Sequence, residues 1–367
     1  MKRNRCIVVK VGTSTLTHED GKLNIRKIKQ LVKELATLSD LGHHVILVSS
    51  GAVGAGIGKL GLPGKPAELV AKRALAAIGQ VELIHLYESL FFAFDKTIAQ
   101  LLLTKDDFSN RQRYLNARNM VHHLLDMGVI PVVNENDTVV VDEIKVGDND
   151  SLSAFVAALV DADLAIIVSD IEGLYDKDPN LYPDAKLIPE VHTLDDEIRC
   201  CANGTTSCFG TGGMTTKIQA ARMCMENGTD MVICNGADPH NIGRAAAGVP
   251  VGTLFYGNKQ NINARKYWLK YATDVKGRIA VDKGAASALS EGHSLLPVGI
   301  IGVDGTFERG SVVEIVHEDK VLAVGIVNYS GKELDVIQGL HSGEIQERLG
   351  YKYEDVVIHS DNLVLNE

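Results

Sequence analysis

Two stretches far apart in the chain carry residue types suited to phosphoryl chemistry. KVGDNDSLSA, Lys145 to Ala154, sets two carboxylates around an amide, Asp148-Asn149-Asp150, where an apolar helical pattern begins. FGTGGMTTK, Phe209 to Lys217, is a glycine-rich loop leading into another helical pattern, with a lysine in its first turn. The first suits a cationic group or a metal ion. The second suits phosphate, because glycine lets backbone N–H groups come close and a helix N-terminus favours negative charge. The Walker spacing is absent, so Thr211, Gly212, Gly213, Met214, Thr215, Thr216 and Lys217 would form a phosphate loop of another kind. Lys10 ends the first apolar run, and a lysine at the mouth of a buried strand is costly unless it meets an anion. Together these features point to an enzyme that moves a phosphoryl group.

Further polar residues follow apolar runs. Ser49, Ser50, Gly51 and Ala52 open a helix whose free N–H groups suit a phosphate or a substrate carboxylate. Asn134, Glu135, Asn136 and Asp137 follow IPVV, and Ser169 and Asp170 follow AIIV. Each has a plainer alternative. The serines and one acidic residue of Asp148–Asp150 also serve as helix caps. Asn134–Asp137 and Ser169–Asp170 also suit turns, the glycine loop an ordinary connection, and Lys10 a fraying strand end. No histidine stands out as a general base. An alcohol acceptor usually needs its proton removed, whereas a carboxylate with a pKa of about 4 is already ionised at neutral pH. Phosphoryl transfer to a carboxylate needs mainly positioning and charge stabilisation.

The elements that would position these residues alternate. IVVKVG, HVILVSSG, TIAQLLLT, VIPVVNEND, DLAIIVSD and MVICNG read as strands buried on both faces. Between them lie amphipathic stretches: Asn24 to Leu41, with Ile28, Leu31, Val32 and Leu35 on one face, Asn110 to Met127, and Thr215 to Glu226. This alternation predicts an α/β fold, a mostly parallel sheet sandwiched by helices, with ligands beyond the carboxyl ends of the strands. The singled-out polar residues fall at those ends. After Asn258 the texture changes to a polar and aromatic connector with the only tryptophan, Trp268. Short β-type runs punctuated by glycine follow, with a helix near Ala285 to Ser290. The expected division is 1–257, a linker 258–274, and a small β-rich domain 275–367.

At 367 residues, either domain is large enough to bury a core. A charged fraction of 23% with mean hydropathy of +0.04 is ordinary for a soluble globular protein, and no apolar run approaches the ~18 residues of a membrane span. The basic N-terminus runs straight into the first strand and lacks the long apolar region of a leader; a cytoplasmic location is expected. The net charge of −10 argues against general affinity for nucleic acid. Six cysteines without a CxxC pair read as reduced thiols. Cys200, Cys201 and Cys208, just before the glycine loop, read as apolar filler, with a redox or metal role as the alternative.

The segments VVKVGTSTLT, VSSGAVGAG, LLT with NARN (Asn116 to Asn119), PVVNENDTV, EIKVGDNDSLSA, SDIEGLYDKDP and GTGGMTTK together resemble the amino acid kinase family. Within it they are similar to the branch that phosphorylates the side-chain carboxylate of L-glutamate with ATP, giving L-glutamyl 5-phosphate in the first step of proline biosynthesis. SLLPVGIIGVDGTFERG resembles the PUA fold. The resemblance implies that Lys10 and Lys217 contact the ATP phosphates and the moving phosphoryl group, with Asp150 holding both. It implies that Ser50, Asp137 and Asn149 bind glutamate, with Gly51, Ala52, Asn134 and Asp148 close by. Ser169, Asp170 and Thr211 to Lys217 would line the nucleotide site, Ser169 standing where threonine is frequent. It also implies Mg2+ carried mainly by the ATP phosphates, a homo-oligomer (dimer or tetramer), feedback inhibition by proline, and a reductase that takes up glutamyl phosphate.

Two other readings compete. A related kinase could use aspartate, N-acetylglutamate, carbamate or a nucleoside monophosphate, although the carboxylate of Asp137 suits a substrate ammonium and disfavours an acylated nitrogen. An RNA-binding or regulatory protein could work through the second domain. From Val275 onward, however, 8 Lys and Arg stand against 15 Asp and Glu, a net of −7, the wrong sign for binding phosphate.

Overall fold

The computed structural model describes residues 4–18, 20, 22–139, 149–179, 181–194, 213–258, 275–318 and 320–366. Asp148, Thr211, Gly212, the cysteines at 200, 201 and 208, and nearly all of the expected linker lie outside the described residues.

The chain divides into two compact units, each with its own sheet. The larger carries β1 (Cys6–Val11), β2 (His44–Ser49), β3 (Ile98–Leu103), β4 (Ile130–Glu135), β5 (Leu164–Ser169), β6 (Glu190–Val191), β7 (Asp230–Asn235) and β8 (Thr253–Phe255), ordered β3-β4-β2-β1-β5-β7-β8-β6. All six expected strands are present and pair in parallel. The two short additions, β6 and β8, pair in parallel with each other, and β8 runs antiparallel to β7.

The order places the topological switch at β1. The chain builds outward on one side through β2, β4 and β3, then crosses to β5 on the other. A crevice forms where strand direction of growth reverses. Register aligns the key residues there: Lys10 pairs with Val48 of β2 and Ile167 of β5, and Val11 pairs with Ser49.

Helices cover both faces. They are α1 (Thr13–Leu16), α2 (Ile25–Asp40), α3 (Ala52–Leu60), α4 (Leu69–Phe92), α5 (Lys105–Ser109), α6 (Arg111–Asp126), α7 (Asn149–Leu159), α8 (Met214–Glu226) and α9 (His240–Ala246). The expected helix over Asn110 to Met127 appears as α6, preceded by the separate turn α5. Asn24 caps α2 by accepting from Lys27 N–H. The expected face of α2 (Ile28, Leu31, Val32, Leu35) packs with Leu83, Tyr87 and Phe91 of α4 onto Ile7, Val9 and Val11 of β1. Period-two alternation then turns Val8 and Lys10 to the opposite face, where α7 packs on β1. Helix α7 is buried throughout from Asp150 to Leu159. Helices α3 and α4 meet at glycines: a Cβ on Gly79 would lie 1.7 Å from Ala52 O, and one on Gly56 would lie 2.1 Å from Leu75 O. That close approach fixes the start of α3 against α4.

The smaller unit has a five-stranded sheet, β9 (Val275–Val281), β10 (Ile300–Asp304), β11 (Val312–His317), β12 (Lys320–Ile326) and β13 (Leu363–Leu365), ordered β10-β9-β11-β12-β13. The expected short helix is α10 (Lys283–Ser290), capped by Asp282 through Ala285 N–H. Helices α11 (Gly331–Ile337) and α12 (Ile345–Leu349) complete it, α11 opening with a Ser330–Glu333 capping box. Its core gathers Ile279, Val281, Val313, Ile315, Tyr329, Leu334 and Ile358. Among the described residues, no helix is long and apolar enough to cross a membrane.

Candidate active site

Lys10, Asp150 and Lys217 meet. Lys10 Nζ lies 2.5 Å from Asp150 Oδ1, and Lys217 Nζ lies 3.1 Å from Asp150 Oδ2. The three are 7%, 2% and 8% exposed. Lys217 also donates to Gly213 O at 2.9 Å, and Thr216 Oγ1 lies 3.0 Å from Asp150 Oδ2. Burial would raise the Asp150 pKa, but the Lys10 and Lys217 ammoniums outweigh it and hold the carboxyl below its usual range.

Among the described residues the charges do not balance. Two buried ammoniums share one carboxylate, and among the described residues neither lysine has a second acidic partner. A buried charge in excess is costly unless an anion completes it. This arrangement therefore calls for an anionic ligand at the strand ends.

The residue before Asp150 belongs to a second, neutral network. Asn149 Nδ2 lies 2.8 Å from Ser49 O, 2.9 Å from Ser50 Oγ and 3.0 Å from Asn134 Oδ1. Ser49 O only accepts, so the amide NH2 must face this cluster, and Oδ1 of Asn149, which no described residue engages, is placed to accept from a ligand. Asn134 Oδ1 also accepts from Glu135 N–H at 2.9 Å. Ser50 Oγ accepts from Asn149, and no described residue accepts its proton, so its O–H can donate to a carboxylate.

These residues line a cavity of about 630 Å³. Ser50, Gly51, Ala52, Asn134, Asp137 and Asn149, the described residues that the family resemblance groups around glutamate, all contribute. Gly51 caps α3 at φ +95°, a left-handed conformation open to glycine at little cost, and aims the first N–H groups of α3 at this end. The cavity has further walls that the sequence did not single out: Thr17, His18, Asp20, Leu62, Pro63 and Lys65. Lys65 is the one permanently charged cation among the described lining residues. A lysine within GLPGKP is a faint signal, since glycine and proline mark a loop without showing where it goes. Thr216, expected from the sequence as a loop residue, also joins the Asp150 cluster.

Ser169 ends β5, and its hydroxyl donates to Asp170 Oδ1 at 3.0 Å. Gly213 caps α8 and Met214 begins it; Thr215 follows in the first turn. Cys224 and Cys234 are buried, and burial pushes both thiols up to about 12, so they are protonated packing groups. No group of three His, Cys, Asp or Glu residues that could hold a metal ion exists among the described residues.

A mostly parallel sheet covered on both faces, with two buried ammoniums at its carboxyl ends, suits phosphoryl chemistry. The chain belongs to the amino acid kinase family, which matches residues 5–235, and a PUA domain matches residues 277–349. A protein named glutamate 5-kinase from Caldanaerobacter subterraneus subsp. tengcongensis is 53% identical over 363 residues, 98% of each chain. Another of that name, from Moorella thermoacetica, is 47% identical over 367 residues, covering 100% of this chain and 97% of its own. Among solved structures, carbamate kinase from Giardia lamblia bound to AMP-PNP superposes with a TM-score of 0.51 at 16% identity, covering 70% of this chain and 100% of that one. This last likeness bears on the fold alone.

Proposed function

We propose that the protein transfers the γ-phosphoryl group of ATP to the side-chain carboxylate of L-glutamate, giving L-glutamyl 5-phosphate and ADP in the first step of proline biosynthesis. The observation that carries this reading is the adjacency of Asn149 and Asp150. One residue reaches into the acceptor cavity and the next holds both ammoniums, so acceptor and phosphoryl group are brought together by a single helix N-terminus.

The side-chain carboxylate of glutamate, pKa about 4.3, is ionised at neutral pH and attacks without a base. Its oxygen forms a bond to the γ-phosphorus as the bond from that phosphorus to the ADP oxygen breaks. Charge spreads over the equatorial oxygens of the transferring group, and Lys10 and Lys217 neutralise it. Asp150 keeps the two ammoniums aimed at one place. Ser50 donates to a substrate carboxylate, while Asp137 and Asn149 Oδ1 accept from the ammonium. Asn134, Gly51 and Ala52 complete that end, Ser169, Asp170 and residues 213–217 hold the nucleotide, and the resemblance adds Asp148 to the first group and Thr211 and Gly212 to the second.

Mg2+ would arrive on the ATP phosphates, shielding their charge. Both oxygens of Asp150 are engaged by lysines, so that carboxylate suits orienting them and does not suit ligating a metal. A homo-oligomer, inhibition by proline, a reductase that consumes the labile product, and a cytoplasmic setting belong to the same reading. The unit from 275 onward is given a structural or regulatory role.

Glutamate-dependent ADP release, with hydroxylamine added to trap the acyl phosphate as a hydroxamate, tests the reaction. A screen with aspartate, N-acetylglutamate, carbamate and nucleoside monophosphates runs beside it. Hydroxamate formed with glutamate is the expected result; no signal with glutamate and turnover with another acceptor would sink the assignment.

A further inference from the structure

Tyr87 is a fully buried phenol that the chemistry above does not use. It sits on α4, 0% exposed, and its one described polar partner is Ser49 Oγ at 3.0 Å. Ser49 is 1% exposed and ends β2. Its Oγ also lies 3.1 Å from the carbonyl oxygen of Ser50, which can only accept.

Each hydroxyl has one proton, and that fixes the direction of the chain. If Ser49 donated to Tyr87, the phenol proton would be buried with no acceptor and Ser50 O would lose its donor. A buried donor without a partner is the costlier arrangement. Tyr87 therefore donates to Ser49 Oγ, and Ser49 donates to Ser50 O. Burial raises the phenol's pKa, so it remains a protonated donor at neutral pH.

We propose that Tyr87 is a positioning residue for the acceptor site, holding the Ser49–Ser50 turn through a two-step hydrogen-bond relay from the interior of α4. The relay completes the restraint of Ser50. Its N–H donates to Val11 O at 3.1 Å, its Oγ accepts from Asn149, and Ser49 Oγ holds its carbonyl. With those three contacts made, the Ser50 proton and the left-handed Gly51 that follows face the cavity in one orientation. The close contact of Gly79 with Ala52 O ties the same helix, α4, to the first residue of α3. Acceptor geometry is thus set from inside the protein as well as from its walls.

This inference rests on the acceptor reading for its kinetic arm and on the geometry alone for its structural arm. Tyr87→Phe removes one oxygen and keeps the ring. The glutamate KM is expected to rise about five- to tenfold, the scale of one net hydrogen bond, with the ATP KM and kcat within about twofold of the unaltered protein. Ser49→Ala should act in the same direction, and the double variant should be no worse than Ser49→Ala alone, because one relay is cut either way. In the structural arm, hydrogen exchange of the ligand-free protein should quicken at the amides of residues 50–52 in Tyr87→Phe and stay unchanged in β1. Unchanged exchange at residues 50–52 overturns the relay whatever the acceptor is. Equal rises in both KM values, or multiplying losses in the double variant, overturn it as well. If the unaltered protein ignores glutamate, the acceptor reading fails separately and the exchange result decides the relay.

Discussion

The two units bury different kinds of residue. In the larger one, Lys10, Ser49, Asn134, Glu135, Asp150, Ser169 and Lys217 are all less than 9% exposed, clustered at the carboxyl ends of the strands. In the smaller one, no described Asp, Glu, Lys, Arg, Asn, Gln, Ser or Thr is buried to that degree, and the core is aliphatic with the ring of Phe307 and the bonded phenol of Tyr329. Burying charge opposes stability unless a ligand or partner compensates. On the proposed function the contrast has a reason: the larger unit keeps its buried charge where the phosphoryl group would be transferred, and the smaller unit packs without any among its described residues.

The strongest way to break this contrast is to remove a buried cation. Lys10→Ala or Lys217→Ala should each lower kcat about 10²-fold or more, the scale for losing one preorganised charge donor. Steady-state turnover with saturating glutamate and ATP measures it.

Asp137→Asn comes next. It weakens the pairing with a substrate ammonium, and the glutamate KM should rise about tenfold with the ATP KM unchanged.

A third test uses pH. The Asp150 carboxyl titrates lower in the folded protein than in the unfolded chain. Its contribution to stability is therefore full above the ordinary carboxylate range and is lost as pH falls through that range toward the lower, folded pKa. The gap in thermal midpoint between the unaltered protein and Asp150→Asn should be widest near neutrality and shrink in acid. A gap that widens on acidification would contradict the ion-pair assignment.

The smallest effect belongs to the smaller unit. Arg278 pairs with Glu314 at 2.8 Å, but the arginine is 61% exposed. Arg278→Ala should cost about 1 kcal/mol or less and leave kcat unchanged. A fall in kcat comparable to that of Lys10→Ala would erase the distinction between the units.

Much of the larger unit was legible because its signals are local. Six apolar runs became six parallel strands, and the polar residue closing each run fell at a strand end. Lys10, Ser50 and Asn134 could be singled out on that ground, and Asp150 because it opens a helix beside an amide and a second carboxylate. What joins them could not. Asn149 reaches back 100 residues to Ser49, Thr216 reaches 66 to Asp150, and Tyr87 reaches 38 to Ser49. Such pairs exist only once strand order is set, and no local periodicity encodes them. Strands β6 and β8, two and three residues long, are too short to show alternation. The Lys65 wall was missed because a loop's course follows from packing, while its composition reveals only that it is a loop.

Convergence of Lys10 and Lys217 on one carboxylate is the claim on which the rest depends, and a double-variant cycle on kcat tests it most directly. If Asp150 joins the two lysines into one unit, Lys10→Ala/Lys217→Ala will lose clearly less than the product of the two single losses. Losses that multiply in full, or near-normal turnover in either single variant, would show that the lysines do not serve one transferring phosphoryl group together.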